Sequence, residues 1–380
     1  MKRSLLLIGL GILGLLLVGY LTYNALYPPV GSANSTFTNV KPVRAVRLEY
    51  IDNAKSRQLV VELEKNMRAA GVNLVAVGAG REDWTYFPWK GHSGQWASEV
   101  KDSGQDLLGD DSARFGKWAH VTAVVDALAP QYVQAHPESA AISYTGARSS
   151  NLVGVMDMAE GDFGQNLLGM IDYIAANYPV NSVMITELVY YVDGYGPKDR
   201  AAYLAFSKRS DWPRSADGKI NIDDPSIGEW RSFEINEFYK KAADILHKYN
   251  KQLFVEVHVN VDENGYVYVQ NGVNFDNLLK YADRLLVWGY YNQDQHKPEI
   301  LTAIGQYIAR HDPNRIIMTI GLWNHNYDVN TSKTSMDPIP VADLQTAISA
   351  ARKGGATDFF ITPSFLLTPP HWSALNQSWK

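Results

Sequence analysis

Between residues 179 and 194 the chain reads PVNSVMITELVYYVDG, an apolar run rich in β-branched residues that closes on Asp193 and Gly194. With an amphipathic stretch before it, this pattern predicts a buried parallel strand running out into a loop. Comparable strand signals fall at residues 43–51, 73–77, 119–125, 253–261, 284–291, 315–322 and 358–361. Helical spacing covers 54–70, which ends at Gly71 as a C′ glycine, and then 158–177, 229–249, 274–282, 298–311 and 341–352. Eight strands, most of them followed by a helix, predict parallel pairing with crossover helices and favour closure into a (β/α)8 TIM-type barrel. The barrel domain is expected over residues 43–380.

The fifth strand shows how such a wall should face. Leu253, Val255, Val257 and Val259 form one apolar side, while Phe254, Glu256, His258 and Asn260 form a mostly polar one. The valines should meet the helices, and the polar set should line the enclosed space. Three stretches resist this alternation. Residues 78–96 are too rich in glycine and aromatics for a helix and read as a long loop carrying Trp84, Tyr86, Trp89 and Trp96. Residues 131–139, QYVQAHPES, read as helical or irregular, and 195–227 as a long excursion with a small hairpin at Asp217-Gly218. A second hairpin is expected at Glu263-Asn264-Gly265.

Ahead of the domain, Lys2 and Arg3 precede a stretch without charge from residue 4 to 40, whose first two-thirds are mostly Leu, Ile, Val and Gly. That run is long enough for a hydrocarbon core of roughly 30 Å, so a single transmembrane helix is expected over residues 1–26, with residues 27–42 as a linker. The positive-inside rule puts the remainder outside the cytoplasm. Gly9, Gly11 and Gly14 spell GxGxxG here, but without a strand before them they form no nucleotide loop.

Composition narrows the chemistry. A net charge of −5 without a basic run argues against nucleic acid, and the absence of cysteine excludes disulfides and thiolate chemistry. No HExxH pair or other histidine spacing suggests a metal site, and no cofactor is implied. In a barrel of this kind, functional groups gather at the C-terminal strand ends, which places Glu49 and Asp52, Asp126, Glu187 and Asp193, Glu256 and His258, residues 290–294, Asn324 and His325, and Thr362 there. Carboxylates at several strand ends, close to aromatic rings, suit glycoside hydrolysis, in which one acid protonates the leaving oxygen and a second carboxylate acts as nucleophile or base. Glu187 is the candidate acid, with Glu256 or Asp126 as the second carboxylate. Trp84, Tyr86, Trp89, His258, Trp288, Tyr290, Trp323 and Asn324 are the candidate substrate-binding residues. The structural alternatives are an ion pair between Glu187 and Arg47, satisfaction of Glu256 by His258 or Arg47, and a packing role for the loop aromatics.

The order VRAVRLEYID, AAGVNLVAVGAGREDWTYFPW, VNSVMITE, ADRLLVWGYY, IIMTIGLW and AISAARKGGATDFFI resembles bacterial glycosyl-hydrolase-like barrels distantly related to family 10 glycosidases. A more remote likeness runs to the hydrolase domain of the poly-N-acetylglucosamine deacetylase of biofilm bacteria. The likeness spans about residues 43–366 and implies a (β/α)8 barrel exposed to cell-surface or exopolysaccharide glycans. These barrels tend to end their fourth strand in V-D-G-I-H-x-D-D. Here Glu187 keeps the last acid, Thr186 replaces the acid before it, and Asn181-Ser182 stand for the Asp-Gly. The pair Trp230-Arg231 matches a W-R of the same barrels and reads as positioning. A glycan-binding barrel without activity, or an anchored partner in polysaccharide synthesis or export, is the alternative that this departure keeps open.

Overall fold

The computed structural model describes residues 39–49, 57–261, 267–268, 274–324 and 337–379. Eight strands form the central sheet: β1 (Arg44–Leu48), β2 (Leu74–Arg81), β3 (His120–Asp126), β4 (Ser182–Thr186), β5 (Gln252–Val257), β6 (Arg284–Gly289), β7 (Ile316–Gly321) and β8 (Phe359–Thr362). Consecutive strands pair in parallel, and β1 pairs with both β2 and β8, so the sheet closes into a barrel.

The strands are buried on both sides, and alternation divides their residues between two cores. Inward positions such as Ala45, Ala76, Val124, Met184, Phe254 and Phe360 plug the barrel interior. Outward positions, among them Leu253, Val255, Val257 and Val259 of the fifth-strand segment, pack beneath the helices. The mix of small and large inward side chains fills the tapered space, so the barrel is a packed core and not a pore. Beneath the plug, at the N-terminal pole, Asp358 accepts a hydrogen bond from the Val43 amide at 2.9 Å and pairs with Lys41 and with Arg284, the latter at 3.6 Å. Asp358 is fully buried, and these partners offset the cost of its charge.

The connections depart from expectation in several places. The helix expected at 158–177 is two pieces, Val155–Ala159 and Asp162–Asn177. At Gly161, between them, a Cβ would lie 2.8 Å from Asp157 backbone atoms. The excursion at 195–227 contains helix Pro197–Ser207, whose start is pinned by Asp199 accepting from the Gly196 and Met156 amides. Helix Pro225–Lys248 starts earlier than its apolar spacing suggested, because Asp224 caps it and Pro225 opens it. Helices Ser98–Ser103, Leu107–Phe115 and Pro369–Ser378, and an antiparallel ribbon of Ala140–Ile142 with Arg148–Val153, add to the elements that the spacing predicts. The strand expected over 253–261 ends at Val257; Asn260–Val261 pairs instead with Val267–Tyr268 in the expected second hairpin, whose tip lies outside the described residues.

The expected membrane span, most of the linker, Asp52 and His325 also lie outside the described residues. Among the described residues no helix is long and apolar enough to cross a membrane.

Phe254 tests the interior plug. It is 1% exposed, lies parallel to the His120 ring at 5.5 Å, and has the Arg284 guanidinium 5.8 Å above it. Phe254→Ala should cost about 3–5 kcal/mol, read as a lower denaturation midpoint at unchanged m-value.

Candidate active site

The register of the sheet brings the carboxylates together. Asp126 is the partner of Thr186 across β3 and β4. Ile185 pairs with Val255, so Thr186 stands level with Glu256 on β5. Glu187 follows Thr186 directly, and its backbone turns into the left-handed region at φ +66°. A residue with a Cβ pays for that conformation, and the turn carries the chain away from the strand direction just where the acid is presented.

On the opposite wall, Arg47 and Glu49 project inward from the end of β1. Arg47 Nε pairs with Glu49 Oε1 at 3.1 Å, and Thr362 Oγ1 donates to the same oxygen at 3.0 Å. Arg47 is thus engaged by Glu49, and among the described residues no ion pair holds Glu187. Its positive charge still acts across the space, favouring the charged forms of Asp126, Glu187 and Glu256.

The acids respond differently to this setting. Burial, followed by the charges of Glu256 and Asp126, pushes Glu187 up to about 8. Burial also raises Glu256, opposed by Arg47 and by donors on Thr186, Trp288 and Tyr290. Of these donors only Tyr290 Oη meets hydrogen-bond geometry, donating to Glu256 Oε1 at 3.4 Å. Thr186 Oγ1, Trp288 Nε1 and Glu256 Oε2 remain buried without partners. Asp126 is raised by burial too, but the Leu128 amide donates to its Oδ1 at 2.8 Å and Arg81 and Arg47 restrain it. Three carboxylates close together in a poorly solvated space cannot all be charged. Neighbouring acids add to burial in favouring the neutral form of Glu187, whereas Arg47 and the donors oppose burial at Glu256.

The aromatic candidates separate into two groups. His258, Trp288, Tyr290 and Trp323 stand in sequence along the ends of β5 to β7, with successive ring centroids 5.1, 4.9 and 5.2 Å apart. Asn292 Nδ2 donates to the Trp323 carbonyl at 3.1 Å and to Asn324 Oδ1 at 3.4 Å, tying this wall to the β7 loop. Burial lowers the His258 imidazole, and the charge of Asp294 opposes the shift.

The second group lies on the β2 loop. Tyr86 and Trp89 are each 3% exposed. Trp89 stacks on His92 at 3.6 Å and its carbonyl accepts from Trp96 Nε1 at 3.0 Å, so these rings pack the loop onto the barrel. Trp84 keeps a partly open face, edge-on to Tyr86 and beneath the Arg81 guanidinium at 5.6 Å. This loop is launched by a bulge at Gly78 and Gly80 in β2. At Gly80 (φ +132°) a Cβ would sit 2.2 Å from the Trp84 carbonyl oxygen, so only glycine permits the fold-back that brings Arg81 opposite Asp126.

Two contributors escaped the sequence reading. Arg81 looked like loop; the glycine pair before it was the available signal for a bulge. Thr186 looked like a lost acid rather than an inward donor at the level of Glu256. No group of three or more possible metal ligands occurs among the described residues.

No family model matches the chain, and no curated protein sequence does. Solved structures do. The glycoside hydrolase domain of PgaB (BpsB) from Bordetella bronchiseptica superposes with TM-score 0.64 at 16% identity, covering 89% of this chain and 99% of that one. The β-galactosidase of the psychrophilic Marinomonas ef1 gives 0.60 at 13%, over 88% of this chain and 58% of its own. The catalytic domain of β-amylase from Paenibacillus polymyxa gives 0.55 at 9%, over 88% and 97%. The chain therefore has the fold of a glycoside-hydrolase-like TIM barrel.

The raised acid has a consequence for stability. Glu187 binds its proton more tightly in the folded chain than at the ordinary value of 4.5, so between about 4.5 and 8 the unfolded chain holds fewer protons and stability falls as pH rises. Glu187→Gln removes that penalty. Its Tm should exceed the parent's by about 2–4 °C near pH 8.5, with the difference vanishing near pH 4, as measured by thermal denaturation across pH.

Proposed function

We propose that the chain is a membrane-anchored, extracytoplasmic glycoside hydrolase that cleaves a bacterial polysaccharide, with Glu187 as the general acid and Glu256 as the second carboxylate. The observation that carries the reading is geometric: the strand register brings Glu187 and Glu256 to neighbouring strand ends, where burial and neighbouring acids favour the neutral form of Glu187 while Arg47 and Tyr290 oppose the rise that burial imposes on Glu256. Acid and base catalysis needs this divergence: two like groups whose surroundings push them into opposite protonation states. Asp126, held by the Leu128 amide, tunes Glu187 through its charge.

His258, Trp288, Tyr290 and Trp323 provide ring faces for a sugar beside these acids, and Trp84 offers a further face across the cleft. The distant kinship with family 10 glycosidases belongs to the same proposal. So does the extracytoplasmic location, which rests on the apolar N-terminal run with Lys2 and Arg3 before it. The names of the structural neighbours, a glycoside hydrolase domain, a β-galactosidase and a β-amylase, agree with a carbohydrate substrate.

A second reading is a barrel that binds glycan without cutting it. It is favoured by one observation: Glu256 is only 4% exposed, deep for a group that must reach a sugar.

The two separate in one experiment. The domain from Lys41 onward is incubated with chitin and its de-N-acetylated oligomers, galactans, starch and bacterial exopolysaccharides, and reducing ends are counted. Glu187→Gln should lower kcat/KM by about 10²–10⁴-fold with glycan affinity retained. Affinity without any release of sugar ends establishes the binding reading.

The pH profile is the second expected result. With Glu187 as the acid, activity falls as pH rises through about 8, and that alkaline limb should be absent from the residual activity of Glu187→Gln.

A further inference from the structure

The N-terminal pole of the barrel, opposite the acids, carries the reverse charge. Helices Arg57–Ala69, Leu107–Phe115, Pro225–Lys248, Leu301–Arg310 and Val341–Gly354 end there, and the exposed side chains of Arg68, Lys117, Lys248, Arg310 and Lys353 stand at or just beyond their last turns. Such cations complement the helix dipoles, which accounts for their placement and leaves their charge facing solvent. Acids do not balance them. The segments that lead from helix to strand at this pole, residues 70–73, 116–119, 178–181, 249–251, 279–283, 311–315 and 355–358, hold three acids, and each is engaged. Asp283 meets His247 at 2.9 Å and the Leu253 amide at 2.8 Å, Asp312 faces Arg315 at 3.8 Å, and Asp358 has Lys41 and Arg284.

A cavity of about 360 Å³ opens in this pole between the entries of β5, β6 and β7, with Lys41, His247, Lys280, Asp283, Arg284 and Arg315 in its walls. Its size is that of a small-molecule site, and its walls keep an excess of positive charge. Lys41 and Arg284 share the one acid Asp358, and Lys280 Nζ donates to the neutral amide oxygen of Asn277 at 2.7 Å. The guanidinium groups are already fixed: Arg284 Nη2 donates to the Val40 carbonyl at 3.2 Å and Arg315 Nη2 to the Ala282 carbonyl at 3.0 Å. An anionic group entering here meets cations whose ordering needs no further loss of freedom.

The chain also comes in at this pole. Residues 27–38 lie between the expected span and the first described residue, and twelve residues reach at most about 43 Å. A lead that short holds the pole near the bilayer at high effective concentration, and anionic lipids attract each Lys or Arg that comes within a Debye length of the surface. We propose that the N-terminal pole docks on the anionic phospholipid surface of the membrane that residues 1–26 span, with a headgroup phosphate seated in the cavity. The inference rests on the membrane anchoring of the preceding section and gives the anchored domain a defined contact with the bilayer.

The test uses the absence of cysteine from the chain. The full chain carrying Ala69→Cys, exposed at this pole, or Thr145→Cys, exposed on the ribbon at the other, is labelled with a fluorophore. Each is reconstituted in nanodiscs of phosphatidylcholine alone or mixed equally with phosphatidylglycerol, with a nitroxide-headgroup lipid as quencher. The Ala69→Cys probe should be quenched in the phosphatidylglycerol discs and lose that quenching in phosphatidylcholine and in about 1 M salt. The loss should recur when Lys117→Gln, Lys248→Gln, Lys280→Gln and Lys353→Gln are combined, a thermal melt at the parent's midpoint showing that the variant is folded. The Thr145→Cys probe should respond to none of these changes. At matched ionic strength, inorganic phosphate should release the pole where chloride does not. Equal quenching of the Ala69→Cys probe in the two lipids, or quenching that survives the four substitutions, overturns the docking. Release by chloride equal to that by phosphate overturns the seat in the cavity. Failure of the chain to enter the discs, seen before any probe is read, removes the anchoring reading itself and the inference with it.

Discussion

One guanidinium holds the top of this barrel together. Arg47 projects into a space that also receives Glu49, Asp126, Glu187 and Glu256, and it is the cation common to the electrostatics of the last three. Removing a positive charge from such a setting would leave acids to be neutralised by protons alone. Its bond to Glu49, itself braced by Thr362, keeps the charge central and off any single catalytic candidate. The different surroundings of Glu187 and Glu256 follow in part from that placement.

The two poles of the barrel use charge in different ways. At the N-terminal pole a single acid, Asp358, is surrounded by Lys41, Arg284 and the Val43 amide. At the C-terminal pole Glu49, Asp126, Glu187 and Glu256 outnumber the cations Arg47 and Arg81, and unpartnered polar atoms collect at Thr186, Trp288 and Glu256. An apolar plug of inward side chains separates the two. That layer keeps the ion cluster at Asp358 apart from the carboxylates at the other pole.

Much of the barrel was legible because parallel strands buried on both sides leave uninterrupted apolar runs, and because alternation in the fifth strand separated Val255 and Val257 from Glu256. Glu187 was legible for a related reason: a carboxylate beside Met184 and Ile185 violates the pattern of its own strand. What stayed hidden was set by side chains acting at a distance. Gly161 splits a helix through close approach to Asp157, and Asp224 lengthens another by capping it. Trp84, Tyr86 and Trp89 are alike in sequence, yet the Gly80 bulge leaves only Trp84 a partly open face. Burial of that kind is decided by how a loop folds back, which no local periodicity records.

The entry of the chain has a geometric consequence. Arg284 Nη2 donates to the Val40 carbonyl at 3.2 Å, and Lys41 reaches Asp358, so residues 40–43 are stitched to the pole opposite the acids. Any tether that arrives through this segment holds the barrel by its base, with the cleft facing outward by the full height of the barrel. A long polymer would then be met at arm's length from the surface of attachment, running across the mouth without having to thread between protein and anchor.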